Sequence, residues 1–163
     1  MVDIKKNLGK KVCGYKIKYE DDDLKYLRKK CNYAAIVIGQ IRDINPRFKL
    51  FLKLKKLKYR LPVFKSKNAY ISNRAKIGEG TFVLNGVVIN SEAVIGKNCI
   101  INSRSLVEHD TNIGDNCHIS TGVILNGSVR VGKNTFIGSG SIIKNNIQIK
   151  KDSFIPMGSK IIK

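Results

Sequence analysis

The chain has 163 residues and a formal net charge of +19, with 31 Lys and Arg against 12 Asp and Glu. No apolar run is long enough to span a bilayer, and the first residues lack the apolar core of a secretory signal, so we expect a cytoplasmic protein. The four cysteines show no close-pair metal spacing, which argues against a zinc site.

The positive charge is concentrated in the first part of the chain. Residues 1–68 hold 20 Lys and Arg against 6 Asp and Glu, whereas residues 69–163 hold 11 against 6. Such an excess favours anionic partners, namely phosphorylated ligands, nucleic acid or a membrane surface. A solvated basic surface explains it equally well, and no base-reading motif accompanies it. We therefore expect no specific nucleic-acid binding.

Two short elements are predicted at the start of the chain. Lysines alternate with apolar residues over residues 11–19, which predicts a strand. Acidic residues at 21–23 precede Leu24 and Leu27, and basic residues follow at 28–30. Because this order of charges matches the helix dipole, residues 21–30 are predicted to form a short helix.

A second strand and a second helix are predicted next. Residues 34–39 form a continuous apolar run, which predicts a buried strand. Asn45 followed by Pro46 predicts a helix start, and Phe and Leu residues continue to about Tyr59. This basic helix could lie on an anionic surface, although packing of its Phe and Leu side on a sheet is the more common arrangement.

Residues 1–68 are thus predicted to be a truncated α/β region with the order β-α-β-α. The region is too small for an independent dinucleotide-binding domain, and it lacks the G-x-G-x-x-G fingerprint after a strand.

The remainder, residues 69–163, is a six-residue repeat. Every sixth residue from Ile71 to Ile161 is aliphatic, at sixteen consecutive positions, and a mostly small residue lies two positions before each. A period of six fits neither a helix nor a single strand. It suits short strands separated by bends, with one large aliphatic residue pointing inward from each strand.

A second period of eighteen is superimposed on the first. Gly78, Gly96, Gly114 and Gly132 recur at that spacing, so three hexads are predicted to form one coil of a parallel β-helix with about five coils. Gly and Asn tolerate the left-handed backbone that bends require; the asparagines concerned are Asn85, Asn90, Asn126 and Asn146. Cys99 and Cys117, also eighteen apart at the small position, are predicted to be reduced core residues.

His109 and His118 are the only histidines, and they are half a coil apart. They are therefore expected to face different directions, so one site using both would need a neighbouring chain. In Glu108-His109-Asp110, a carboxylate could orient the imidazole of a general base, provided that residues 109 and 110 lie at a bend. With only two histidines per chain, a symmetric site that needs three imidazoles per metal ion is hard to form. No metal is therefore expected.

The stretch INSRSLVEHDTNIGDNCHISTGVILNGSVRVGKNTFIGSGS, residues 101–141, closely resembles the bacterial hexapeptide-repeat acyltransferases that N-acetylate UDP-4-amino-sugars or O-acetylate sialic acids. The stretch LPVFKSKNAYISNRAKIGEGTFVLNGVVIN, residues 61–90, resembles the entry of that group into its β-helix. The resemblance covers the chain from about Ala34. It implies a left-handed β-helix, a homotrimer, acetyl-CoA as co-substrate and a bacterial sugar as acceptor.

The resemblance also implies roles for single residues. His109 would be the general base and Asp110 its carboxylate partner, with Asn102 and His118 as supporting polar groups. The amide of Gly127 would stabilise the thioester oxyanion, and Ser139 and Gly140 would line the pantetheine arm of CoA. No covalent acyl-enzyme is expected.

Two other functions remain open at this point. The first is a non-catalytic trimeric β-helix that binds or scaffolds. The second is nucleic-acid binding through the basic residues 47–60, which would depend steeply on salt.

Overall fold

Residues 64–161 form a three-sided parallel β-solenoid, which confirms the predicted left-handed β-helix of about five coils. The structure is a computed structural model that describes residues 1–163. Each full coil contributes one two-residue strand to each of three parallel sheets, and every inner strand pairs with the strands eighteen residues before and after it. The solenoid begins at Phe64, earlier than the first hexad that the sequence identified.

The strands of the three faces are as follows. The first face contains β3 Phe64–Lys65, β6 Phe82–Val83, β9 Ile100–Ile101, β12 His118–Ile119, β15 Phe136–Ile137 and β18 Phe154–Ile155. The second contains β4 Tyr70–Ile71, β7 Val88–Ile89, β10 Leu106–Val107, β13 Ile124–Leu125, β16 Ile142–Ile143 and β19 Lys160–Ile161. The third contains β5 Lys76–Ile77, β8 Val94–Ile95, β11 Asn112–Ile113, β14 Arg130–Val131 and β17 Gln148–Ile149.

The aliphatic residues of the hexads form the core of the solenoid. Every one from Val83 to Ile149 is buried, and those of the end coils, such as Ile71 and Ile161, are partly covered. The small residues between them are buried too, including Cys99 and Cys117, both of which are free thiols. Their Sγ atoms lie 3.2 Å from the carbonyl oxygens of Gly114 and Gly132, respectively. The predicted reduced core cysteines are therefore present.

Each corner of the prism turns on one residue with left-handed backbone, and these residues recur every six positions. Between the second and third faces they are Glu92, Asp110, Ser128 and Asn146, with φ near +60°. Of the four asparagines that the sequence suggested, only Asn146 has this conformation. The prediction was wrong for Asn85, Asn90 and Asn126, because the left-handed position follows the strand by three residues and these three lie one or two residues too early.

The glycines spaced by eighteen serve a different purpose. Gly78, Gly96, Gly114 and Gly132 are not left-handed, but a Cβ on any of them would lie within 2.7 Å of atoms of the next coil. At Gly132 the nearest atom is the backbone nitrogen of Lys151, 2.3 Å away. The recurring glycine therefore allows successive coils to approach at strand spacing.

The N-terminal region differs from its predicted β-α-β-α order. The strand predicted over residues 11–19 is a hairpin of β1 Lys11–Val12 and β2 Tyr15–Lys16, because Cys13 and Gly14 both have positive φ and reverse the chain. The helix predicted over residues 21–30 is a 3-10 turn, Asp21–Asp23, followed by α1, Leu24–Leu27.

The helix predicted from Asn45 is α2, Asn45–Lys56, which ends about one turn before Tyr59. The N-cap position is Ile44, whose side chain makes no capping hydrogen bond. The carboxylate of Asp43 accepts hydrogen bonds from the backbone N–H and the side-chain amide of Asn45, at 2.9 and 2.8 Å. None of the helices in the structure is long and apolar enough to cross a bilayer.

The strand predicted over residues 34–39 does not form. Ile36 is 2% exposed, but Val37 is 80% exposed, and no neighbouring strand pairs with the segment. The carbonyls of Ile36 and Ile38 accept hydrogen bonds from the Arg47 guanidinium instead of from a sheet. The apolar run indicated burial correctly for one side chain, but a side chain, that of Arg47, bonds to its carbonyls at Ile36 and Ile38.

Candidate active site

The residues that the sequence singled out lie in two groups at two corners of the prism. His109, Asp110 and Gly127 lie at the corner between the second and third faces. Asn102, Ser139 and Gly140 lie at the corner between the first and second faces, and His118, on β12, leads into it. One chain thus brings each group together internally, and the second face separates the two groups.

His109 and Asp110 form a contact pair at a turn. The Nδ1 atom of His109 lies 2.7 Å from Oδ2 of Asp110, and both side chains are more than half exposed. Asp110 is the left-handed corner residue, with φ of +59°. This conformation turns its carboxylate back onto the neighbouring ring, which two adjacent residues of an extended strand could not achieve.

The electrostatic surroundings of His109 favour its protonated form. The hydrogen bond that His109 donates to Asp110 raises the pKa of His109. Burial opposes this effect, and the negative charges of Asp110 and Glu108 raise the pKa further. With Nδ1 donating to Asp110, the second ring nitrogen, Nε2, is left without a proton when the ring is neutral. The pair therefore supplies an exposed basic nitrogen of increased proton affinity.

Gly127 lies directly against that nitrogen. It occupies the position one coil after His109, and a Cβ added to it would lie 2.7 Å from His109 Nε2. The Gly127 N–H makes no hydrogen bond within the chain, while the next amide, that of Ser128, donates to the His109 carbonyl at 2.9 Å. A basic nitrogen and a free backbone donor are thus neighbours at one corner.

His118 has surroundings opposite to those of His109. It is 7% exposed, and burial lowers its pKa, against a hydrogen bond to the Gln40 carbonyl that raises it; the Arg47 charge lowers it further. Its Nδ1 donates to the Gln40 carbonyl, and its ring packs edge-on against Phe136. The remaining nitrogen, Nε2, lies 3.5 Å from Nδ2 of Asn102. His118 is therefore a neutral, fixed ring beside Asn102.

The other two predicted residues follow along the same corner. The Ser139 hydroxyl lies 2.9 Å from that of Ser120, and Gly140 has φ of +68° with open space where a Cβ would be. This corner offers small side chains and uncrowded backbone. Cys117, by contrast, is buried in the core. No group of three or more His, Cys, Asp or Glu side chains lies close enough to hold a metal ion.

Sequence reasoning missed Gln40, which contacts this corner's histidine, and Arg47, whose positive charge lowers the histidine's pKa. Both are distant from His118 along the chain, and both are almost completely buried. A signal was present for Arg47, because it shares the buried side of α2 with Phe51 and Leu54, at helical spacing. A charged residue on the apolar side of an amphipathic helix indicates a specific buried partner.

Replacing Asp110 with Asn tests the electrostatic coupling at the exposed histidine. Asn also tolerates positive φ, and its oxygen can still accept from Nδ1, but the negative charge is lost. We expect the pKa of His109 to fall, so that the acid limb of a kcat/KM profile moves to lower pH, with a lower plateau because the base is weaker. The matched control is Asp152→Asn, at another corner with the same φ; a limb that moves equally in both variants contradicts the coupling.

Family models and solved structures match the chain as follows. Residues 92–127 match the bacterial transferase hexapeptide family (six repeats), and residues 128–162 match the hexapeptide repeat of succinyl-transferase. No curated protein matches the chain. One solved structure is of GDP-perosamine N-acetyltransferase from Caulobacter crescentus, with one histidine replaced by alanine and in complex with CoA and GDP-perosamine. It is 29% identical to this chain with a TM-score of 0.88, and the match covers 93% of this chain and 71% of that chain.

Two further structures share the fold at lower identity. The acetyltransferase domain of PglB from Neisseria gonorrhoeae is 23% identical, with a TM-score of 0.90 and coverage of 99% of this chain and 77% of that chain. WeeI from Acinetobacter baumannii is 24% identical, with a TM-score of 0.74 and coverage of 99% and 81%.

Proposed function

We propose that this chain, a hexapeptide-repeat acyltransferase, transfers an acetyl group from acetyl-CoA to an amino or hydroxyl group of a bacterial sugar. The observation that carries the proposal is the corner formed by His109, Asp110 and Gly127, on a chain similar over 93% of its length to a GDP-perosamine N-acetyltransferase. That similarity favours nitrogen as the acetylated atom and a nucleotide-linked amino sugar as the acceptor.

In the proposed reaction His109 is the general base. Asp110 holds Nδ1, so the lone pair of Nε2 is available to accept a proton from the acceptor amine. As the proton leaves, the amine nitrogen attacks the thioester carbonyl, and the carbon–sulfur bond of the resulting tetrahedral intermediate breaks. The CoA thiolate takes the proton from the His109 imidazolium and departs as the thiol. The carboxylate of Asp110 stabilises the imidazolium that forms.

The Gly127 N–H is proposed to stabilise the oxyanion of that reaction. It has no partner within the chain, and its residue adjoins His109 Nε2. A backbone donor fixed in this way needs no reorganisation as charge develops on the carbonyl oxygen. Any side chain at position 127 would crowd the base, which gives a physical reason for glycine there.

The donor is proposed to lie along the corner of Asn102, Ser139 and Gly140, with His118 in support. Small side chains and open space at Gly140 leave room for the pantetheine arm. The fixed amide of Asn102, whose Oδ1 accepts from the Ser103 N–H at 2.8 Å, offers an oriented polar group. The relative from Caulobacter crescentus contains CoA in its solved structure.

The two corners belong to one site if the chain is a homotrimer, as we propose. The second face, which separates them, carries an outward column of apolar side chains. Tyr70 is 62% exposed and Ile142 37% exposed, and Val88, Leu106 and Ile124 between them are half-buried. Covering this column with a neighbouring copy would bring a base corner of one chain near a donor corner of the next.

A thermal-melt titration with acetyl-CoA tests the proposal without knowledge of the acceptor. Ligand at 100 times its Kd stabilises the folded protein by about 2.7 kcal/mol, which corresponds to a rise of roughly 5–10 °C in Tm for a chain of this size. We expect a saturable rise with acetyl-CoA and none with AMP. A flat curve up to millimolar acetyl-CoA would favour the scaffold hypothesis instead.

A further inference from the structure

An extended segment of the N-terminal region, residues 36–42, crosses the outside of the first face; we call it the strap. It has no strand pairing, and alternate parts of it are strongly exposed, such as Val37 and Ile41. Its fixed points are Ile36 and Gln40, which are 2% and 3% exposed. The strap is therefore held at a few points by side-chain hydrogen bonds, not by a backbone ladder.

Arg47, on the first turn of α2, supplies most of these hydrogen bonds. It is 1% exposed and has no carboxylate partner. Its guanidinium donates to the strap carbonyls of Ile36 and Ile38 and to the solenoid carbonyls of Gly80 and Asn98, and it lies over the Phe82 ring. Burial lowers the pKa of Arg47 to about 10, so it remains charged at neutral pH.

A buried cation without a counterion is costly unless its donors are satisfied. The carbonyls around Arg47 accept from its N–H groups only while the strap and the corner of the solenoid keep their present relative positions. Two of those carbonyls belong to the strap and two to successive coils of one corner. Arg47 therefore fixes the strap relative to the solenoid.

The far end of the strap bears directly on His118. Gln40 Nε2 donates to the Asn116 carbonyl at 2.6 Å, and the Gln40 carbonyl accepts from His118 Nδ1. Because Nδ1 must carry the proton to make this bond, Nε2 of the neutral ring is an acceptor. Asn102 presents its Nδ2 to that atom, since its Oδ1 already accepts from the Ser103 N–H. The hydrogen bond at Nδ1 and the contact at Nε2 therefore require the same tautomer of His118.

We infer that Arg47, acting through the strap and Gln40, is a positioning residue for the Asn102–His118 pair, which it keeps with His118 Nε2 unprotonated and facing Asn102. The donor-binding role of that pair rests on the proposed function. The tautomer of His118 is independent of that function, since it is a property of the protein without substrate. The N-terminal region thus orients polar groups of the solenoid.

The variant Arg47→Met tests this inference, with Lys49→Met as its control. Lys49 is exposed on the same helix and makes no hydrogen bond through its side chain, so its loss removes the same charge and leaves the strap in place. In Arg47→Met we expect the His118 imidazole, observed by ¹⁵N NMR, to change from the Nδ1–H form to a mixture of tautomers. We expect the KM for acetyl-CoA to rise about tenfold, as for loss of one oriented hydrogen bond, with kcat within about twofold.

Gln40→Met is the second variant, for use if Arg47→Met does not fold. It keeps the carbonyl that faces His118 but removes the anchor to Asn116, so a smaller change of the same kind is expected. An unchanged Nδ1–H form in both variants overturns the inference, whatever the activity. If the wild-type protein shows no acetyl transfer, the proposed function fails, and the NMR result still decides the role of the strap.

Discussion

Replacing His109 with Ala is expected to lower kcat for acetyl transfer by roughly 10²–10⁴-fold, the usual contribution of a positioned general base. The side chain is more than half exposed and makes its one side-chain hydrogen bond to Asp110. Its removal should therefore leave the fold, the melting temperature and acetyl-CoA binding almost unchanged. Steady-state rates measured beside a thermal melt with acetyl-CoA check both parts.

The matched control is His118→Ala. This ring is buried, bonded to the Gln40 carbonyl and packed on Phe136, so its loss should lower Tm and weaken acetyl-CoA binding. If His109→Ala keeps wild-type turnover on an accepted sugar, then His109 is not the base. If both variants lose turnover only because they unfold, the assignment of two different roles is wrong.

Replacing Gly132 with Ala is expected to destabilise the solenoid by about 3 kcal/mol or more, the upper end of the usual cost of overpacking. The added Cβ would lie 2.3 Å from the backbone nitrogen of Lys151, and backbone of a neighbouring coil cannot move aside as a side chain could. For a chain of this size the change corresponds to a fall of roughly 6–12 °C in Tm.

Gly122→Ala provides the comparison for Gly132→Ala. Gly122 has φ of +66° but open space around its Cβ position, so the substitution costs only the backbone strain of about 1–2 kcal/mol. Differential scanning calorimetry of both variants should therefore show the larger loss of stability for Gly132→Ala, although the φ of Gly132 is ordinary. Equal losses would mean that contact between coils is not the reason for the eighteen-residue glycine period.

The solenoid could be predicted from the sequence because its determinants are local and repeated. An aliphatic residue every six positions and a glycine every eighteen specify strand, corner and coil without knowledge of distant contacts. The exact left-handed positions were less accessible, since Glu92, Arg104 and Ser128 occupy them as well as Gly and Asn. The hydrogen bonds between coils impose the corner conformation on whatever residue is present.

The same distinction separates the two groups of site residues. His109 and Asp110 are adjacent in sequence, so their contact followed from one condition, a bend at residues 109 and 110. The surroundings of His118 depend on Gln40, 78 residues away, and on Arg47. No period or motif links those positions. The strand predicted over residues 34–39 was wrong for the same reason, because the carbonyls of Ile36 and Ile38 accept from the distant Arg47 side chain instead of from a neighbouring strand.

Acetyl transfer by this protein with His109 as the base is tested by an acceptor screen with acetyl-CoA, in which products are identified by mass spectrometry. The panel should contain nucleotide-linked amino sugars, including GDP-perosamine, and sialic acids, with His109→Ala run in parallel. We expect the wild-type protein to release CoA and to yield a product heavier by one acetyl group, and His109→Ala to yield far less. Acetyl-CoA binding without turnover on any acceptor, or equal turnover by the wild type and His109→Ala, would contradict this expectation.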